Sequence, residues 1–222
     1  LTEAMEGIRA FMDYKVTVLV KNGTYKEKVV IPSWLQNVEF IGESVENTII
    51  TYDDHANINK MGTFRTYTVK VEGNSITFKN LTIENNAARL GQAVALHTEG
   101  DKLVFINCRI LGNQDTIYTG AAGTRLYFAD CYIDGTTDFI FGPSTALFEN
   151  CEIRSKTNSY VTAASTPKDI AVGYVFKNCR LTADPGVDKV YLGRPWRPYA
   201  ATVFINCEMG KHIRPEGWHN WG

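Results

Sequence analysis

No apolar run in the 222-residue sequence reaches the roughly 18 to 20 residues that a membrane-spanning helix needs. The N-terminus of this copy also lacks a charged segment leading into an apolar signal core. No association with a membrane is therefore expected. An excess of one charge is missing too. Lys and Arg total 23 against 24 Asp and Glu, and the basic residues are scattered along the chain. That distribution leaves no electrostatic footprint for nucleic acid. No CxxC pair suggests zinc or thioredoxin chemistry, and the five cysteines, an odd number, cannot all pair internally. The four histidines, His55, His97, His212 and His219, show no ligand spacing, so packing or surface roles are expected for each, with no metal and no cofactor.

What is present is a repeat. The phrases "FINCRI" (Cys108), "FADCYI" (Cys131), "FENCEI" (Cys151), "FKNCRL" (Cys179) and "FINCEM" (Cys207) are five copies of one pattern. A sixth, "FKNLTI", carries Leu81 in the cysteine position. The intervals from Leu81 to Cys207 are 27, 23, 20, 28 and 28 residues, so the phrase is constant while the spacing varies. Stacked strands with variable loops behave this way. Each phrase alternates apolar and polar residues, is too short for a helix, and reads as one strand with a buried face. The expected fold is all-β: a right-handed parallel β-helix filling residues 1–222 as a single domain, with a short N-terminal helix in "LTEAMEGIRAFM". The cysteine position then forms an interior ladder of small apolar groups. Neighbours such as Cys131 and Cys151 fall near disulfide range, which spacing alone does not decide.

A second strand per coil carries the polar chemistry. "QAVAL", "DTIYT" and "DFIFG" each open with a polar residue and continue as an apolar run; Gln92, Asp115 and Asp138 follow one another at intervals of 23. Asp115 and Asp138 each lie seven residues beyond a repeat cysteine. This predicts one vertical column of three polar side chains. Two carboxylates at strand spacing repel, so either one retains its proton or a cation stabilises the pair. Solvated decoration or a calcium site is the competing reading, although calcium wants more oxygen ligands than the aromatic surroundings offer. Arg194, in "VYLGRPWRPY", is the candidate cation, because a bidentate guanidinium keeps one carboxylate ionised and leaves its neighbour free to hold a proton. Arg197 is a decoy for that role.

"QAVAL", "QDTIY", "DFIFG" and "LGRPW", in that order, resemble the pectin methylesterases, carbohydrate esterases built on a right-handed parallel β-helix. The likeness runs from "LTEAMEGIRA" and "NGTYKEKVVIP" to "FINCEMGKHIRPEGW". The resemblance implies hydrolysis of C6 methyl esters of homogalacturonan. Asp138 matches the nucleophile, Asp115 the general acid and base, Gln114 and Gln92 the oxyanion donors, and Arg194 the guanidinium that orients Asp138. Trp196 and Thr63 match substrate-binding positions, with Phe141 and Tyr118 as further substrate candidates. It also implies no metal, a secreted or periplasmic location, and methyl-esterified pectin as the partner of a protein expected to be monomeric.

The sequence departs from the family pattern in three places. A small insertion in "TGAAGTRL" is expected to loosen a turn beside the active site. "TFRTYT" carries Tyr67 where a small residue is common. The first strand and the last segment of the family are missing, so the chain is expected to be truncated at both ends and to associate through an exposed coil edge. Of the two sequons, at Asn22 and Asn80, the second is expected to fall in a stacked strand unsuited to a glycan. A β-helical polygalacturonase or pectate lyase, a noncatalytic pectin-binding solenoid and an inactive remnant are the rival readings. The paired glutamines favour an ester oxyanion over the first.

Overall fold

The structure, a computed structural model, describes residues 1–221. Its strands form three parallel sheets of eight, eight and seven strands, and chain-consecutive strands always lie in different sheets. Each full coil therefore contributes one strand to each sheet, which is a parallel β-helix; parallel crossovers of this kind wind right-handed. The only α-helix among the described residues is a single turn, Thr2–Glu6, which buries Met5 against the first coil.

Three strands per coil replace the two that the sequence suggested, and the repeated phrase turns a corner. "FINCRI" divides into strand Leu103–Ile106 in the first sheet and strand Arg109–Leu111 in the second. The residue before each ladder position makes the corner by adopting a left-handed backbone: Asn80, Asn107, Asp130, Asn150, Asn178 and Asn206 all have φ between 49° and 54°. Asn and Asp tolerate that region better than other side chains that carry a Cβ. The constant part of the repeat is therefore a bend. Asn80 sits in this corner, outside the strands, and accepts a hydrogen bond from the Asn107 amide.

The phenylalanine that opens each phrase points inward. Phe40, Phe78, Phe105, Phe128, Phe148, Phe176 and Phe204 form one column, with ring centroids 4.5–5.4 Å apart and planes within 15°. Strand spacing of about 4.8 Å sets that separation, so the hydrogen-bonded backbone and the ring stack share one period. Beside it the cysteines form the expected interior ladder. Each thiol donates to the phenylalanine carbonyl of the preceding coil, as Cys131 does to Phe105 at 3.5 Å, and all five are unpaired. The thiols of Cys131, Cys151 and Cys179 are held well above their ordinary pKa, largely by contact with the neighbouring thiol in the ladder and by burial.

Two outcomes follow from this core. Phe128→Ala is expected to cost about 3–5 kcal/mol in denaturant unfolding, whereas Phe11→Ala, at a ring 71% exposed, is expected to stay within about 0.5 kcal/mol. Maleimide labelling of the folded protein is expected to reach Cys207 first, since it alone is not fully buried, and the other four only after denaturation.

Candidate active site

The third sheet bears the polar chemistry. Its strands include Val69–Val71, Leu96–Thr98, Ile117–Thr119, Ile140–Gly142, Tyr160–Ala164 and Tyr191–Gly193, stacked in that order. Along its outer face, register places His97 beside Tyr118, Tyr118 beside Phe141, and Phe141 beside Ala163. Tyr118 and Phe141 stack at 4.8 Å, and Trp196 reaches Phe141 at 5.8 Å. Together these rings form an aromatic floor.

Asp115 and Asp138 lie at the entrances to two adjacent strands of this sheet. Ile117 pairs with Ile140, so the 23-residue interval holds between the two acids. It does not hold for Gln92. Leu96 pairs with Ile117, an interval of 21, and Ala93 donates its N–H to the Gln114 carbonyl at 3.0 Å. The expected three-residue column is thus corrected: that bond sets Ala93 opposite Asp115, just as the Asp115 N–H bond to the Thr137 carbonyl sets Asp115 opposite Asp138, so Gln92 comes level with Gln114. A slip of one residue would reverse a side chain within a regular strand, but Gln92 precedes strand Leu96–Thr98 and lines the cleft together with Gln114. Gln92 therefore still reaches the site, and the Ala56 N–H fixes its carbonyl at 2.8 Å.

Both acids owe their direction to a left-handed backbone, φ 68° at Asp115 and 48° at Asp138. The strand alternation breaks at each, in a conformation that costs energy outside Gly, Asn and Asp. Backbone donors hold the turns in place: Asp115 N–H to the Thr137 carbonyl at 3.1 Å, and Asp138 N–H to the Tyr160 carbonyl at 2.9 Å. Asp115 is 8% exposed and Asp138 5%.

Arg194 reaches Asp138 from two coils further on. Its strand pairs Gly193 with Thr162, where the Thr162 hydroxyl lies against the glycine Cα and a Cβ would collide. Arg194 Nε and a terminal guanidinium nitrogen donate to the two Asp138 carboxylate oxygens at 3.1 and 2.7 Å. The guanidinium plane is clamped between Tyr160 at 4.2 Å and Trp221 at 4.1 Å. Arg197 takes no part. It donates to the Trp196 carbonyl and rests over the Trp196 ring.

The electrostatics of the two acids differ. Burial raises the Asp138 pKa, and the hydrogen bonds and charge of Arg194 pull it back toward the ordinary range. Burial and the Asp138 charge lift Asp115 well above the ordinary range, opposed only by the more distant charge of Arg194. The two carboxyls are thus unequal, with Asp138 paired to a cation and Asp115 the more resistant to losing its proton, an inequality that suits a nucleophile next to a proton donor.

A cleft of about 260 Å³ opens over the pair, lined by Thr63, Phe64, Gln92, Gln114, Asp115, Asp138, Phe141, Ala163, Arg194, Trp196 and Trp221. Of the nine residues singled out by sequence, eight line it. The ninth, Tyr118, lies behind that lining, covered by Phe64 at a centroid distance of 4.7 Å and stacked on Phe141. A second cavity of similar volume behind Arg194 contains neither acid. The "TGAAGTRL" turn departs from the far end of strand Ile117–Thr119, away from Asp115, which corrects the expectation that it borders the site. Sequence reading passed over Phe64, Tyr160 and Trp221. Phe64 adjoins Thr63 and was within reach, whereas Tyr160 and Trp221 meet Arg194 only through coil register. No cluster of three or more metal-ligating side chains occurs among the described residues.

The family model described as Pectinesterase matches residues 1–222. Pectinesterase 31 from Arabidopsis thaliana is 37% identical over 231 residues, which cover 99% of this chain and 72% of that protein. The probable pectinesterase/pectinesterase inhibitor 23 of the same plant is 35% identical over 234 residues, and there this chain spans only 41% of the relative's length. Among solved structures, the pectin methylesterase from carrot superposes with a TM-score of 0.94 at 30% identity, covering 100% of this chain and 72% of the other. A pectin methylesterase in complex with a hexasaccharide gives 0.88 at 29% identity, covering 99% and 75%.

The site electrostatics carry a stability consequence. The folded-state pKa of Asp115 lies above its unfolded value, so its stability contribution is complete below the ordinary value of 3.8 and is lost as pH rises toward the folded value. Asp115→Asn is therefore expected to raise Tm at neutral pH, by about 2–4 °C for each kcal/mol of repulsion and desolvation relieved. The gain is expected to vanish in thermal scans run below the unfolded pKa.

Proposed function

This chain belongs to the pectinesterase family, which makes it a carboxylic ester hydrolase, and from that premise we propose that it removes methyl groups from the C6 esters of homogalacturonan. The observation that carries the residue assignment is the unequal pair, with Asp138 held ionised by a bidentate guanidinium and Asp115 left beside it with its proton.

In the first half-reaction an Asp138 oxygen attacks the ester carbonyl carbon. The charge moves to the carbonyl oxygen, and the amide N–H groups of Gln92 and Gln114 on the cleft wall are the donors that receive it. Neutral donors suit a charge that exists only in the transition state and the tetrahedral intermediate. Collapse breaks the bond to the methoxy oxygen, which takes the Asp115 proton and leaves as methanol. Asp138 is now joined to the galacturonyl carbon as an acyl-enzyme. In the second half-reaction the Asp115 carboxylate accepts a proton from water as the water oxygen attacks that carbon, and Asp138 departs as a carboxylate. Asp115 has its proton back.

Throughout the cycle the two acids are never both ionised. When Asp115 becomes an anion, Asp138 is an uncharged acyl group. Thr63, Phe141, Tyr118 and Trp196 supply the substrate surface, with the aromatic floor placed for the apolar faces of pyranose rings. A polymer substrate of this kind places the enzyme's work outside the cell, in a wall or a periplasm.

Methanol release from highly methyl-esterified pectin tests the activity. Asp138→Asn is expected to abolish it with the circular dichroism spectrum retained, and undiminished release would overturn the nucleophile assignment. The rate is expected to follow a bell in pH. Its acid limb reports protonation of Asp138, and its alkaline limb reports loss of the Asp115 proton at a higher pH. Arg194→Lys loses the fork of hydrogen bonds that favours the Asp138 anion, so the acid limb is expected to move to higher pH.

A further inference from the structure

On the outer face of the third sheet, one coil before Asp115, stands a carboxylate that the reaction does not use. Glu99 closes strand Leu96–Thr98, on the coil preceding that of Asp115. Two features fix its position. His97 Nε2 lies 2.6 Å from one of its oxygens, and His97 is itself 3% exposed, packed edge-on beneath Tyr118 at 4.8 Å and near Tyr67 at 5.9 Å. Gly120, on the next coil, leaves open the space that the Glu99 oxygen occupies; a Cβ there would approach it to 2.6 Å. Lys70, on the coil before, feels the Glu99 charge, but its ammonium is bound 2.7 Å from Glu72.

The local balance is negative. Glu72 and Glu99 occupy equivalent positions on adjacent coils and share one lysine, while burial lowers the His97 pKa and leaves its imidazole neutral at neutral pH. The charge lies on the same face of the sheet as the aromatic floor, two residues beyond the His97 that pairs with Tyr118. Glu99 is about one-third exposed, its charge acts on the Tyr118 phenol, and Phe64, which lines the reaction cleft, lies tilted against Tyr118 at 4.7 Å. A mobile surface glutamate would swing away from an approaching anion at little cost. This one is tethered at its carboxylate by a buried ring, so repulsion cannot be relieved by a change of rotamer.

We propose that Glu99, tethered by His97 and accommodated by Gly120, is a specificity-determining residue that makes the N-terminal arm of the groove prefer methyl-esterified galacturonate to the free acid. The inference rests on the pectin esterase reading above. A methyl ester is uncharged and meets Glu99 without penalty. A free uronate carries a like charge into a site of reduced dielectric.

The test compares kcat/KM per ester on highly methyl-esterified pectin and on the same pectin partly and randomly de-esterified with alkali. In the wild type the de-esterified substrate is expected to be the poorer, and added salt to narrow the difference. Glu99→Gln is expected to raise the ratio of de-esterified to esterified by about three- to tenfold, the size of one screened like-charge contact. Glu99→Lys is expected to raise it further. In both variants inhibition by unesterified hexagalacturonate is expected to tighten by a similar factor. A ratio and an inhibition constant that stay within twofold of wild type in both variants would overturn the role of Glu99 while leaving the esterase intact. Absence of methanol from either pectin with the folded wild type would overturn the esterase reading and this inference with it.

Discussion

The site depends on one guanidinium. Two aspartates on adjacent coils are brought within a strand spacing of each other, nearly excluded from water, at a position where two full charges repel strongly. Arg194 supplies a single positive charge and commits both of its parallel donors to Asp138. In the proposed reaction the site then holds one anion, and Asp115 is left as the acid. Replacing that charge by a point cation or moving it level with both acids would remove the difference between them. The stack of Tyr160 and Trp221 on the guanidinium faces serves this requirement, because it prevents rotation out of the Asp138 plane.

The solenoid explains how residues far apart in the chain meet this constraint. Asp115, Asp138 and Arg194 sit on different coils of one sheet, and backbone hydrogen bonds between coils set their spacing. The same period governs the phenylalanine stack in the core. A rigid interior thus fixes distances along the axis, while left-handed residues decide which way a side chain leaves the strand. At the corners Asn and Asp use that geometry to change sheets. At Asp115 and Asp138 the chain uses it to turn an acid into the groove.

Much of this was legible in the sequence, for identifiable reasons. The Phe–x–Asn–Cys phrase repeats because three structural demands coincide in it: a stacked ring, a left-handed corner and a small buried side chain. That made the solenoid readable even where coil length varied. The acids and the arginine were readable because their neighbours are short and strongly patterned. Register was harder. Equal spacing suggested that Gln92 stands over Asp115, but loop residues between coils are not counted by the sheet, and the Ala93 N–H bond to the Gln114 carbonyl sets the glutamine level with Gln114, one position short of Asp115. The phrase was read as a single strand because alternation continues through the corner. Tyr160 and Trp221 left no local signal, since contact with Arg194 arises only when coils are superposed.

The most direct measurement of the central claim is a carboxyl-carbon NMR titration of the protein labelled at aspartate, with Asp115→Asn and Asp138→Asn used to assign the two resonances. The account predicts two separate steps, with Asp138 ionising first and Asp115 retaining its proton to a distinctly higher pH. Ionisation of Asp115 before Asp138, or coincident titration of both, would contradict it.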